Sequence, residues 1–532
     1  MTVYVPEEFT PAEADVLRRY FTNLDGPVFA LVNLPEVVKG ALFARYSRSP
    51  KSLRRLFLDE FVNDLDISGD VSVDATIGLE RAEELYEKVF FEYGDDSVAQ
   101  LGGVHLACEQ ASNVLTKVLE WGRLMSYLEQ STRYIAYDAR LGGRFRYYRD
   151  PALLSSRFGT RYVGDMDRMF DAYSLLLTKV TDHVRATVPR EPGDSDFVYR
   201  QATRAKALDA VRGVLPAASL SNVGIYGTGQ AFESLLLRMR AHPLPEARYY
   251  ADLMLHELRK VIPSFLRRVD LPERGGRWVS YLSSTRERTD ELVSPMFDGT
   301  PVDQVDSVRL VDFDPDAEDK LLTAICYPHT NLPEHQVAAR VRAMSPAERV
   351  ALLRSYVGER ENRRHKPGRA FERVDYRFDV LSDYGAFRDM QRHRMLTIEW
   401  QPLTPNHGYV RPELIDDAGV ADVFDDAMAR SAALYDALQH DFPHQASYAV
   451  SMAYRLRYSM QFNAREAIHL LELRSSPQGH PAYRRVALEM HRLIAEQAGH
   501  RAVAEAMVHL TTEAPELERL AAERRAEARR GG

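Results

Sequence analysis

The chain has 532 residues, 45% hydrophobic and 27% charged, with a formal net charge of -8. That length exceeds one hydrophobic core and predicts several domains, while the acidic balance argues against binding a nucleic-acid polymer. Two cysteines, Cys108 and Cys326, exclude a disulfide framework and fit a reducing, cytoplasmic setting. No run approaches a membrane span, and the N-terminus lacks a secretion-signal pattern, so no membrane partner is expected.

In chain order, Gly26–Asn33 reads as a strand, and Leu79–Tyr93 and Val104–Tyr134 read with helical period. Gly143–Tyr148 reads as a strand, followed by helical patterns over Ala205–Leu215, Ala231–Arg240 and Arg248–Val261. Trp278–Leu282 is strand-like, and the polar stretch Ser283–Val305 reads as a linker. Ser307–Phe313 and Glu372–Val380 are strand patterns, and helical periodicity returns at Ala386–Thr397, Asp422–Leu438 and Ala464–Leu473. The Ala/Glu/Arg-rich tail from Glu513 predicts a solvated, fraying helix. Gly227-Thr228-Gly229 lacks the Lys-Ser/Thr ending of a phosphate loop and reads as a turn.

A long-period repeat underlies this order. ALFARYSRSPKSLRRL precedes GRLMSYLEQSTRY in the first half, as LLTAICYPHTNLPEHQ precedes FRDMQRHRMLTIEWQP in the second. Each half closes on a leucine-rich helix bearing an arginine, Arg238 and Arg474. The predicted fold is therefore α+β. It has a first module at 1–285, a linker at 286–306, a second module at 307–512 and a charged helical tail at 513–532. Each module is expected to be a helical bundle on a small mixed sheet, the two forming a pseudo-dimer within the chain.

YGDDSVAQL followed by GRLMSYLEQSTRY resembles the signature of flavin-dependent thymidylate synthases, with Arg123, Ser126, Glu129, Gln130, Ser131, Arg133 and Tyr134 matching. AVRGVLP is similar to the family's Ala-Arg-x-x-Leu-Pro segment and places Arg212 on its arginine. Trp121 and Gly122 stand where the family has Arg and His, and Asp95 replaces a histidine after Gly94. The second half departs elsewhere. Arg392-His393-Arg394 is intact, Glu372 is in place, and FNAREAIHLLELR keeps Asn463, Arg465 and Arg474 with His469 at a polar position. Trp400, Pro402 and Thr404 replace the positions of Glu129, Ser131 and Arg133.

The resemblance implies FAD as cofactor, dUMP or a related pyrimidine nucleotide as substrate, methylenetetrahydrofolate as one-carbon donor and NADPH as reductant. It assigns nucleotide binding to Glu129, Ser131, Arg133, Arg212 and Arg238, and flavin binding to Arg392, His393, Arg394, Asn463, Arg465 and His469. Arg238 and Arg474 are the catalytic expectations, because a fixed cation beside a uracil carbonyl stabilises charge developing on the ring. Guanidinium forks suit phosphate oxygens for the same reason. On a helix wheel Asn463 and Arg474 fall within about 20°, on a helix apolar enough to be buried. Losing two or three phosphate contacts weakens binding about 10²- to 10⁵-fold, so neither half is expected to suffice alone. A homodimer would then form a pseudo-tetramer whose junctions are unequal. His407, His440, His444 and His480 lack paired metal-ligand spacing, and no metal is expected. Two alternatives stay open: a non-catalytic flavin- or nucleotide-binding paralogue, and a flavoenzyme acting on another pyrimidine nucleotide.

Overall fold

A computed structural model describes residues 4–34, 36–60, 100, 102–513 and 515–528. The expected helix at Leu79–Tyr93 and the Gly94-Asp95 pair lie outside the described residues. The chain forms two units. The first comprises residues 1–174, 215–302 and 429–450; the second comprises 175–214, 303–428 and 451–532.

Each unit is built on a four-stranded sheet. In the first, β1 (Val28–Leu31), β2 (Gly103–Ser112), β3 (Met125–Glu129) and β4 (Leu220–Thr228) lie in the order β1-β2-β4-β3. In the second, β5 (Val308–Phe313), β6 (Asp375–Asp383), β7 (Thr397–Trp400) and β8 (Arg455–Asn463) repeat that order as β5-β6-β8-β7. Every pairing is antiparallel, which corrects the expected mixed sheets. The registers repeat as well: Gly103 pairs with Thr228 as Asp375 pairs with Asn463.

The strand-to-helix junctions carry the same repeat. Ser112 ends β2 and caps α1 (Asn113–Leu119), accepting from Leu115 N. Helix α2 (Asp196–Val211) follows, capped by Ser195. Thr228 ends β4 and caps α3 (Gly229–Arg240), so the Gly227–Gly229 stretch is a strand–helix junction rather than a free turn. Helix α4 spans Arg277–Phe297. In the second unit Asp383 ends β6 and caps α5 (Tyr384–Met390), and Asn463 ends β8 and caps α6 (Ala464–Arg474). That unit also includes α7 (Pro481–Glu496) and α8 (Leu520–Ala528). Each cap satisfies an otherwise orphaned amide and contributes about 1 kcal/mol.

Several sequence expectations change. Val104–Tyr134 is β2, α1 and β3 rather than one helix, because β2 is buried on both faces and its apolar run mimics a helical pattern. Helix α5 ends at Met390 and Thr397 opens β7, which divides the expected helix Ala386–Thr397. Gly143–Tyr148 makes only isolated bridges. Trp278–Leu282 and most of the expected linker are helical, as α4. Strands β4 and β8 lie outside the expected strands, although β8 alternates polar and apolar residues along Arg455–Asn463. The tail helix α8 is anchored rather than free: buried Arg519 pairs with Asp209 on α2 at 3.0 Å, and Arg524 pairs with Asp194 at 2.6 Å.

The first core gathers Phe29, Leu31, Leu42, Leu53, Phe57 and Ala107. Burying each of the larger side chains contributes roughly 1.5–3 kcal/mol. Among the described residues, no helix is long and apolar enough to cross a membrane.

Candidate functional site

The second unit concentrates ionisable groups where its two strand–helix junctions meet. Helix α5 is only two turns long, so the chain leaves it at Gln391 and delivers Arg392-His393-Arg394 just beyond its C-terminus. Helix α6 contributes Glu466, His469 and Arg474 from one apolar rod. Asn463, expected at the flavin, has its side-chain oxygen committed to the α6 cap, accepting from Glu466 N at 2.9 Å.

A hydrogen-bonded chain runs through the site. Arg474 Nε donates to His393 Nε2 at 3.0 Å, and His393 Nδ1 lies 2.8 Å from Glu466 Oε1. A guanidinium cannot accept, so Nε2 carries the lone pair and Nδ1 carries the proton donated to Glu466. Burial, then Arg474, His469 and Lys366, hold the His393 pKa well below its usual value. The His393–Glu466 contact is therefore a hydrogen bond donated by a neutral ring. Burial pushes Glu466 up to about 7, against the pull of Lys366, Arg465 and Arg474. Burial, with the same cations and Arg363, brings His469 down to about 4.

Asp389 is the counter-charge. Its carboxylate lies 3.5 Å from Arg212 Nη1, 3.7 Å from Arg474 Nη1 and 3.9 Å from Arg392 Nη1. Three guanidinium groups thus share one carboxylate at ion-pair rather than hydrogen-bond distance. Arg212 Nη2 is buried without a hydrogen-bond acceptor, and a Cβ on Gly385 would come within 3.0 Å of it. Arg465 donates from Nε to Pro367 O at 2.9 Å and faces Glu372 at 3.4 Å. Arg394 is exposed.

His393, Glu466 and His469 each offer a ligand atom, all within 4.8 Å of one another. That spacing would suit a cation, but Lys366, Arg465, Arg474 and Arg363 make the local field positive. The field favours oxyanions. A flavin dinucleotide carries a diphosphate, and this donor set of arginines and a lysine fits such a group.

The first unit has rebuilt the same place. Helix α1 ends at Leu119 with Glu120 as its C-cap, so Trp121, Gly122 and Arg123 stand where Arg392, His393 and Arg394 stand in the other unit. The Arg238 guanidinium lies over the Trp121 ring, 4.6 Å from its centroid. A Cβ on Gly122 would fall 2.6 Å from the Tyr127 hydroxyl, so a side chain there would crowd that ring. Arg474 comes eleven positions after its cap Asn463, whereas Arg238 comes ten after Thr228. The two arginines therefore leave their helices about 100° apart.

The other first-half expectations are divided. Glu129 is buried against Lys117 at 3.3 Å, and Lys117 also pairs with Glu120 at 2.6 Å. Ser131 Oγ accepts from Arg133 N at 3.2 Å. Ser131 and Arg133 belong to the first unit, whereas Arg212 belongs to the second. The expected cradle of Ser131, Arg133 and Arg212 is thus not assembled within one unit.

Sequence reasoning passed over Glu466, Asp389, Asp383 and Lys366, because none belongs to the pattern that singled out the other residues. A charge count would have found Asp389. Arginines drawn to one place, Arg212 among them buried, demand a counter-ion, and Asp389 lies three positions before Arg392.

A family model described as thymidylate synthase complementing protein matches residues 44–264 and again 309–499. The chain is 40% identical over 486 residues to a UPF0159 protein of Chlamydia pneumoniae, spanning 90% of this chain and 91% of that protein. It is 38% identical over 487 residues to a UPF0159 protein of Chlamydia muridarum, spanning 91% and 92%. A UPF0159 protein of Thermoplasma acidophilum is 31% identical over 521 residues, spanning 93% and 99%. With two successive matches, repeated sheet order and repeated caps, the chain belongs to the thymidylate synthase complementing protein family and carries its module in tandem.

Proposed function

We propose that this protein is an FAD-dependent thymidylate synthase whose working residues are gathered in the second unit. It would convert dUMP to dTMP with methylenetetrahydrofolate and NADPH. The observation that carries this reading is the convergence of Arg212, from the first half of the sequence, with Arg392, His393 and Arg474 around Asp389.

Bound FAD would supply hydride chemistry that amino-acid side chains lack. Arg392, Arg394, Arg465 and Lys366 would hold its phosphates. Arg474 and Arg212 are pre-positioned cations for the nucleotide, their charge only partly met by Asp389, and they would stabilise negative charge developing on the pyrimidine. His469 would border the flavin. Ser131, Arg133 and Glu129 would serve the nucleotide from the first module, at a junction completed by a second copy of the chain. On this reading 1–285 and 307–512 are the duplicated modules, the assembly is a homodimer with a pseudo-tetrameric plan, and the enzyme works in the cytoplasm.

One feature favours a related pyrimidine nucleotide as substrate. Trp400 packs against Phe387 at 5.4 Å, and Phe387 against Tyr458 at 5.0 Å. This aromatic group occupies the position that Glu129 holds in the first unit. Growth of a thymidine-requiring host on this gene tests the main reading. Failure of growth, with no dUMP-dependent NADPH oxidation by the purified yellow protein, would refute it.

A further inference from the structure

Among the described residues, the three-residue chain Glu466–His393–Arg474 has no counterpart in the first unit. By position after the caps, Glu466 corresponds to Ala231, and His393 to Gly122, in the first. A glycine and an alanine can make no such link. Where the link is missing, the closing arginine lies on an indole; where it is present, the arginine turns to a histidine and an aspartate.

We propose that Glu466 is a positioning residue: through the His393 ring it fixes the direction of Arg474. This deepens the proposed function and rests on it only for the identity of the ligand. The geometry is unambiguous about direction. Arg474 has donors alone, so it meets the ring through a nitrogen lone pair. Only the ring's other nitrogen can then carry hydrogen, and Glu466 Oε1 stands 2.8 Å from it. Rotation of the ring by half a turn about its bond would break both links at once. Glu466 therefore locks the rotamer as well as the tautomer, and the α6 backbone that carries it is itself fixed by the Asn463 cap.

The environment of Arg474 shows what the lock is for. Its side chain is 13% exposed, Asp389 stands at 3.7 Å from Nη1, and the Tyr483 ring centroid lies 5.3 Å from its central carbon. Asp389 also draws on Arg212 and Arg392. Without the histidine, Arg474 would be left with this shared, distant carboxylate and with Tyr483 to aim it. A cation meant to meet charge that develops during reaction gains from being held beforehand. The groups facing Glu466 are His393 from the segment after α5, Lys366 from the segment before β6, and Arg465 and Arg474 from its own helix.

The test uses the full-length protein with nitrogen-15 histidine, His393 being assigned by its loss in His393→Asn. Without ligand, the His393 ring should show one protonated and one bare nitrogen. Glu466→Gln, whose amide oxygen still accepts, should keep that pattern. Glu466→Leu should bring the two nitrogens towards exchange-averaged shifts and weaken dUMP binding about tenfold, the loss of one hydrogen bond's worth of orientation. Combining Glu466→Leu with His393→Asn should weaken dUMP no further than His393→Asn alone. Unchanged ring nitrogens in Glu466→Leu, or additive losses in the double variant, would overturn the proposal. Absence of dUMP binding by the unaltered protein would count against the proposed function instead, and the ring signals would still decide the role of Glu466.

Discussion

Arg212 stands 3.5 Å from Asp389, although the two residues come from different halves of the sequence. Arg392 and Arg474 share the same carboxylate, and Asp383 adds a second negative charge beside Arg212. An excess of positive charge is thus built into the second unit before any ligand arrives, at a cost that an anion would offset.

Removing that carboxylate should expose the cost. Asp389→Ala is expected to lower unfolding free energy by about 3 kcal/mol, because the guanidinium groups then repel without their shared counter-ion. Urea denaturation measures this, and added pyrophosphate should restore more stability to the variant than to the unaltered protein.

Stability should also respond to pH through Glu466. Its folded-state carboxyl titrates at about 7, above the usual 4.5. The folded protein therefore holds this proton more tightly than the unfolded chain, and stability falls as pH rises through that window. Glu466→Gln is expected to have little effect at pH 4.5 and to be stabilising by up to roughly 3 kcal/mol above pH 7. Melting curves of both proteins across that range check the sign.

The closing arginines should differ in consequence. Arg474→Ala is expected to lower the turnover of dUMP at least about 10²-fold, the scale of a lost transition-state donor. Arg238→Ala, which removes a guanidinium stacked on Trp121, should change turnover by less than about threefold while costing roughly 1 kcal/mol of stability. Steady-state kinetics and calorimetry on the two variants separate the roles. Equal losses of turnover would show that both units work.

A purely structural control lies in the first unit. Glu246 is buried and accepts from Ser112 N at 2.8 Å, Ser112 Oγ at 2.6 Å and Tyr448 OH at 2.7 Å. Tyr448→Phe should cost about 1–3 kcal/mol, since it deletes one donor to a buried carboxyl. Flavin and nucleotide affinity should not move, as titration calorimetry can establish.

How much of this was legible beforehand depended on what each residue faces. The polar positions of α6 were readable because Arg465, His469 and Arg474 interrupt a helix otherwise buried all round. The triplet Arg392–Arg394 was readable from its own spacing. The partners were not: Asp389 and Glu466 matter through residues distant in sequence, and nothing in their local pattern distinguishes them from surface acids. Strand β2 was misread as helix because both its faces are buried, which erases the alternation that identifies a half-exposed strand. Helix α4 was hidden because Trp278 and Tyr281 favour strands locally, whereas the segment Arg277–Phe297 as a whole is helical.

The units do not coincide with the halves of the sequence. Residues 175–214 complete the second unit and residues 429–450 complete the first. During synthesis, neither unit can close until the ribosome has passed well into the second half. Neither half can afterwards be discarded by truncating the gene, because each retains a piece the other must have. Duplicated genes commonly shed a redundant copy; here the exchanged segments 175–214 and 429–450 bind both copies to one gene.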